Sequence, residues 1–141
     1  MSSGQRFEDG VRDQGAAALP VCIKVPNDRA ASGAQRRGSL WLDFMGILPG
    51  GRAVTGDAKW VGTERRITRS LLRPEQRGHA DRAHEAGALV VVIVGWLDGS
   101  QARVSVVPWV DLRAEGQDVT AWLCSDWCAR LLEVGDASEQ G

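Results

Sequence analysis

From Leu89 to Trp96 the chain reads Leu-Val-Val-Val-Ile-Val-Gly-Trp, with no charged side chain in the run. The run has strand length rather than helix length, and it is dominated by β-branched residues. It does not alternate between apolar and polar, so the strand it forms must be covered on both faces. A doubly covered strand needs a layer above the sheet and a layer below it. That requirement excludes a sheet with one wet face and points to a mixed α/β sandwich. The wider apolar stretch, Ala88 to Leu97, is too short for a bilayer, which takes about 20 residues.

The rest of the chain supplies the other layers. Ser2 or Ser3 is placed to cap a first helix reaching about Asp13, with Phe7 and Val11 one turn apart on its buried side. Leu19 to Val25 reads as a short strand. Residues 26–38, rich in Ala, Gly, Ser and Arg and without periodicity, read as a flexible loop. Leu40 to Leu48 and Arg52 to Val61 read as two strands joined by Pro49-Gly50-Gly51, hence a hairpin. Thr63 to Leu72 is a basic connection of ambiguous structure. A helix is expected from Pro74, which suits a first turn, to Gly87, which suits a stop. Asp98-Gly99 turns the chain into a strand from Arg103 to Val107. A last helix is expected from an Asp118 cap, with Leu123, Cys124, Trp127, Cys128 and Leu131 as its apolar stripe. The 141 residues suit one domain over 1–141, with a core at about 4–134 and a frayed end at 135–141.

The formal net charge is −1, so bulk charge does not advertise a polyanionic partner and any such surface must be local. The three cysteines, Cys22, Cys124 and Cys128, make no disulfide framework. The opening Met1 to Arg6 lacks the apolar core of a secretory signal, so a reducing, cytoplasmic protein is expected.

The chemistry concentrates in the hairpin. With the turn centred on Gly50, residues whose numbers sum to 100 oppose each other, and Asp43 then faces Asp57. Opposed residues have Cβ atoms roughly 4.5–5.5 Å apart. Lys59 and Thr55 share that face, while Leu42, Phe44, Val54, Ala58 and Trp60 take the other. Two opposed carboxylates repel, and a divalent cation between them removes the penalty. Oxygen ligands suit Mg²⁺ or Mn²⁺ rather than Zn²⁺. A neighbouring lysine can orient a water, so the set is equipped for metal-assisted phosphodiester hydrolysis. Equally, these residues on a solvated face are two surface aspartates screened by Lys59, and the hairpin alone does not separate the two readings.

Asp43 followed by Asp57-Ala58-Lys59 resembles the PD-(D/E)xK nuclease signature. Leu42-Asp43-Phe44-Met45-Gly46 is similar to the "vDYnG" segment of the RecU-type (recombination protein U) Holliday junction resolvases. Thr55-Gly56-Asp57-Ala58-Lys59 is similar to that family's "DFEAK". Glu75-Gln76, His79 and Glu85 to Gly87 resemble its "HQxxH…EHGG" helix, and Gly4 to Glu8 resembles its opening "GxxFE". The likeness runs over about residues 4–112 in the same order. Asp57 stands where the family usually has Glu, and the chain has little room for the long insertion with which members probe a junction centre.

The resemblance implies a restriction-endonuclease-like mixed β-sheet flanked by helices, and a homodimer that cuts four-way DNA junctions with Mg²⁺. It makes Asp43 and Asp57 metal ligands and Lys59 the group that positions or activates water. It brings Glu8 in from the first helix to support the metal or its water, and puts Gln76 on the helix behind the site, holding a ligand or water.

Arg65, Arg66, Arg69, Arg73 and Arg77, with Arg36 and Arg37 before the hairpin and His79 beyond it, are candidate DNA contacts. Interleaved Glu64, Glu75 and Asp81 also fit a soluble mixed-charge surface. Cys124 and Cys128 are better read as buried apolar groups than as ligands, since nothing completes a zinc site. The six tryptophans read as core, with Trp109, Trp122 and Trp127 also suited to a dimer contact. The expected function is therefore a Mg²⁺-dependent endonuclease resolving branched DNA in recombination and repair, with Mn²⁺ able to stand in. A general nickase or repair nuclease, and a non-catalytic DNA-binding module, are the alternatives on the same fold. Branched DNA and a second copy of the chain are the expected partners, and a membrane is not.

Overall fold

The computed structural model describes residues 3–18, 21–24, 42, 44–131 and 133. In chain order these form α1 (Ser3–Ala18), β1 (Val21–Lys24), β2 (Phe44–Ile47), β3 (Ala53–Trp60), β4 (Arg66–Ile67) and a 3-10 turn at Arg69–Leu71. They continue as α2 (Pro74–Glu85), β5 (Leu89–Asp98), β6 (Gln101–Pro108), α3 (Trp109–Ala114), β7 (Gln117–Asp118), a 3-10 turn at Val119–Trp122 and β8 (Leu123–Cys124). A closing helix, α4, occupies 127–131 and 133.

The apolar run lies at the heart of the sheet, as β5. The strands are ordered β1-β2-β3-β5-β6-β8. β3 and β5 run parallel and every other pair is antiparallel. Two parallel neighbours need a crossover, which α2 and the segment before it provide. The side chains of β5 divide between two cores by parity. Leu89, Val91 and Ile93 join Phe44, Val54 and Ala58 under Val11 of α1 and under Trp127 and Leu131 of α4. Val90, Val92, Val94 and Trp96 join Leu72, Ala80, Trp109, Leu112 and Val119 on the side of α2 and α3. Each buried Val, Leu or Ile contributes roughly 1.5–3 kcal/mol, which explains why the run carries no polar residue.

The hairpin keeps its expected register. Phe44 pairs with Gly56, Met45 with Thr55, Gly46 with Val54 and Ile47 with Ala53. Gly50 and Gly51 both take φ of +97°, which an L side chain rarely adopts and which closes the turn.

Several expectations are corrected. α1 runs on to Ala18, because Ala16-Ala17-Ala18 are strong helix formers. Leu42 does not share a face with Phe44. It joins the α2 side, and it lies outside β2, so the alternation of that strand does not govern it. Trp60 is half-buried at the end of β3, its ring 6.1 Å from that of Phe7. The last helix does not begin at Asp118. That carboxylate accepts from the Thr120 amide at 2.8 Å and caps only a 3-10 turn. Leu123 and Cys124 then pair with β6, and Leu123 is exposed. The true cap is Asp126, which accepts from the amides of Cys128 at 3.0 Å and Ala129 at 3.3 Å. Thr63 to Leu72 resolves into β4 and a 3-10 turn, and the short α3 was not anticipated. The loop at 26–38 and the terminus at 135–141 lie outside the described residues.

Candidate active site

β3 brings the site together. Its even positions Val54 and Ala58 go into the core beneath α1. Its odd positions Thr55, Asp57 and Lys59 go to the other face, where α2 lies. Thr55 donates to the Phe44 carbonyl at 2.9 Å and so ties that face to β2. Asp57 sits mid-sheet between β2 and β5, opposite Val92, and only 1% of it is exposed. A carboxylate taken that far out of water needs charge or hydrogen bonds around it. Lys59 Nζ lies 3.0 Å from Asp57 Oδ2, on a stem that keeps the ammonium partly in solvent.

α2 supplies the third member. Gln76 is buried, and its Nε2 donates to Asp57 Oδ1 at 3.4 Å. Its Oε1 accepts from the Arg73 amide at 3.1 Å and from Lys59 Nζ at 3.5 Å. The Arg73 bond is half of a capping box, the N3 glutamine reaching back to the N-cap amide. One side chain therefore caps α2 and orients the carboxylate and the ammonium together. Pro74 fits the first turn because no amide partner is needed there.

The structure thus joins Asp57, Lys59 and Gln76. Glu8 lies half-buried on α1, next to Phe7, on the helix that packs against β3. Among the described residues no group of three or more His, Cys, Asp or Glu side chains converges. Asp43, Arg36 and Arg37 lie outside the described residues. Among the described residues the site holds one carboxylate, Asp57, a hard oxygen donor of the kind that suits Mg²⁺ or Mn²⁺ rather than a thiophilic ion. Cys124 and Cys128 are partly buried. Both pack against the core beneath α1 and α4. Burial pushes the Cys124 thiol above its ordinary value.

The arginines disperse around this centre. Arg65 stacks over the Trp96 ring at 5.0 Å and pairs with Asp98 at 3.2 Å. Arg66 is exposed on β4, Arg69 is exposed in the 3-10 turn and Arg73 is exposed at the start of α2. Arg77 is half-buried on α2. His79 is also half-buried, and burial, then the neighbouring Arg82 charge, hold its pKa below the ordinary histidine value. Sequence reasoning missed Arg113, which together with Trp109, read as core and buried, closes over Asp81 of α2. No pattern announced α3, whose few residues show no helical period.

No family model matches the chain, and no curated protein is similar to it by sequence. A solved structure does resemble it. Archaeoglobus fulgidus Hjc, a Holliday junction resolvase from an archaeal hyperthermophile solved at 1.6 Å resolution, superposes with a TM-score of 0.54. The two chains share a fold. The match covers 83% of this chain and 88% of that one at 16% identity, so the likeness is one of architecture. That architecture is the restriction-endonuclease-like mixed sheet flanked by helices, as the sequence resemblance implied. No helix among the described residues is long and apolar enough to cross a membrane.

Proposed function

We propose that this protein is a Mg²⁺-dependent DNA endonuclease that cuts four-way junctions, acting as a homodimer. The observation that carries the reading is the buried Asp57 held between Lys59 and Gln76 on the sheet face beneath α2. The fold shared with a Holliday junction resolvase supports it.

Asp57 is the first metal ligand in this reading. Asp43 and Glu8 would complete the set, and Gln76 would hold the Asp57 carboxylate in place. A bound Mg²⁺ supplies Lewis-acid charge against the negative charge that builds on the phosphate. Lys59 donates a hydrogen bond that orients the attacking water. The water gives up one proton to solvent as its oxygen bonds to phosphorus in line with the 3′-oxygen, the bond from phosphorus to that oxygen breaks, and the 3′-oxygen takes up a proton from solvent. The ends are a 5′-phosphate and a 3′-hydroxyl. Symmetric resolution takes two cuts, so a two-fold dimer with one site per protomer is the natural assembly.

The test uses a labelled four-way junction and a matched linear duplex, each in Mg²⁺ and in EDTA, with Asp57→Asn and Lys59→Ala alongside. Paired symmetric cuts that require Mg²⁺ and vanish in both variants are the expected result. Equal cutting of junction and duplex would leave a general nuclease. A folded wild-type protein that binds junctions without cutting them in Mg²⁺ or Mn²⁺ would leave a non-catalytic module.

A further inference from the structure

α2 borders a groove on the side away from Gln76. Gln76 and Ala80 point into the protein, while Pro74, Arg77, Gly78 and Asp81 fall on the other side of the helix. That side borders a groove of about 680 Å³, completed by Arg69 and by Trp109, Val110, Arg113 and Ala114 of α3. The volume lies in the range of sites for small organic groups, roughly 300–1,000 Å³. Three guanidinium groups line it against a single carboxylate. That carboxylate, Asp81, is already engaged by Trp109 Nε1 at 2.8 Å and by Arg113 at 2.9 Å. The Arg77 Nε is buried, with no hydrogen-bond partner among the described residues. The Arg69 guanidinium is exposed and makes no ion pair among the described residues. Val110, 43% exposed, adds an apolar wall.

A groove with surplus guanidinium charge and an apolar wall fits a phosphate ester carrying a sugar. We infer that it holds a backbone phosphate of the DNA other than the one being cut, with the attached deoxyribose against Val110. The inference rests on the nuclease reading for the identity of the ligand. The separation follows from geometry, since α2 stands between groove and site, and a helix with its side chains is about 10–12 Å across. A strand that crosses α2 would then engage both faces of one helix.

The test measures binding in EDTA by fluorescence anisotropy, with a labelled junction, a single strand, dAMP and polyglutamate. The proteins are wild type, Arg69→Ala, Arg69→Glu and Arg69→Ala/Arg77→Gln. Thermal melts check folding, and the exposed Arg69 variants are expected to melt as wild type does. The double variant is expected to bind junction at least about tenfold more weakly, with the salt slope reduced by about 1 to 2. Unchanged affinity and slope in Arg69→Glu and in the double variant would overturn the assignment. So would displacement of DNA by polyglutamate at equal charge, or Arg69-dependent binding of dAMP without binding of strands. Cleavage by the wild type in Mg²⁺ is scored in parallel. Loss of binding in the variants of a protein that never cuts would keep the groove and remove the nuclease reading. Cutting by a wild type whose variants bind normally would do the reverse.

Discussion

At the scale of single residues, the central relation is between Asp57 and the two groups that hold it. Lys59→Met keeps the aliphatic stem but leaves a buried carboxylate without its cation. Removing one partner of a buried pair costs about 3–5 kcal/mol, and the partial exposure of Lys59 puts the expected loss at the low end. Adding Asp57→Asn should return much of it, so urea denaturation of the two single variants and the double variant should show strong coupling. Purely additive losses would mean that the pair contributes nothing in solution. Asp81 shows the same physics at the surface. The Trp109 indole, and after it Arg113, hold its pKa below the ordinary 3.8, while burial opposes them. The folded state therefore favours the carboxylate. Its contribution is present above the unfolded value and is lost as pH falls through the lowered one. Asp81→Asn should lack that loss, so its stability should fall less steeply than wild type below about pH 4. Parallel acid-unfolding curves would contradict the arrangement.

At the scale of elements, close approach and capping decide what sequence alone left open. Gly56 lies between Thr55 and Asp57, and a Cβ there would meet the Phe44 ring at 2.7 Å and the Val91 carbonyl oxygen at 2.9 Å. The ring can shift, but the carbonyl belongs to β5 and is fixed by the sheet. Gly56→Ala should cost about 1–3 kcal/mol by overpacking, with the loss read by denaturation. A neutral result would show that the ring moves aside freely. For α4, the competing starts make opposite forecasts. Asp126→Ala should lose a helix cap worth about 0.5–2 kcal/mol. Asp118→Ala removes only a cap on a 3-10 turn and should cost less. The hairpin register was legible because a glycine turn and period-2 alternation leave little freedom. The start of α4 was not, because Asp118 and Asp126 are both good caps, and only the pairing of Leu123-Cys124 with β6 chooses between them.

At the scale of the whole molecule, the proposed reaction needs two active sites, and the described residues of one chain hold one candidate. Sedimentation at micromolar concentration should show a species of twice the 15.2 kDa chain mass. A monomer throughout would disfavour paired cutting and leave a nickase. The basic groups spread over β4, the 3-10 turn and α2, on or next to the side of the sheet where Asp57 lies. A chain of net charge −1 can therefore present a local surface for a polyanion.

The sequence by itself determined the doubly covered strand, the hairpin and the alternation that sets Asp57 and Lys59 on one face. Each follows from local rules, namely a continuous apolar run, a glycine turn and a two-residue period. Tertiary structure alone decided that Gln76, distant in sequence, would bond to both of them. It also decided that Leu42 would cross to the opposite core from Phe44, and that Arg69, Arg77 and Arg113 would meet across a groove. Those outcomes depend on how α2 and α3 dock on the sheet, and docking is set by the summed packing of many side chains rather than by any local pattern.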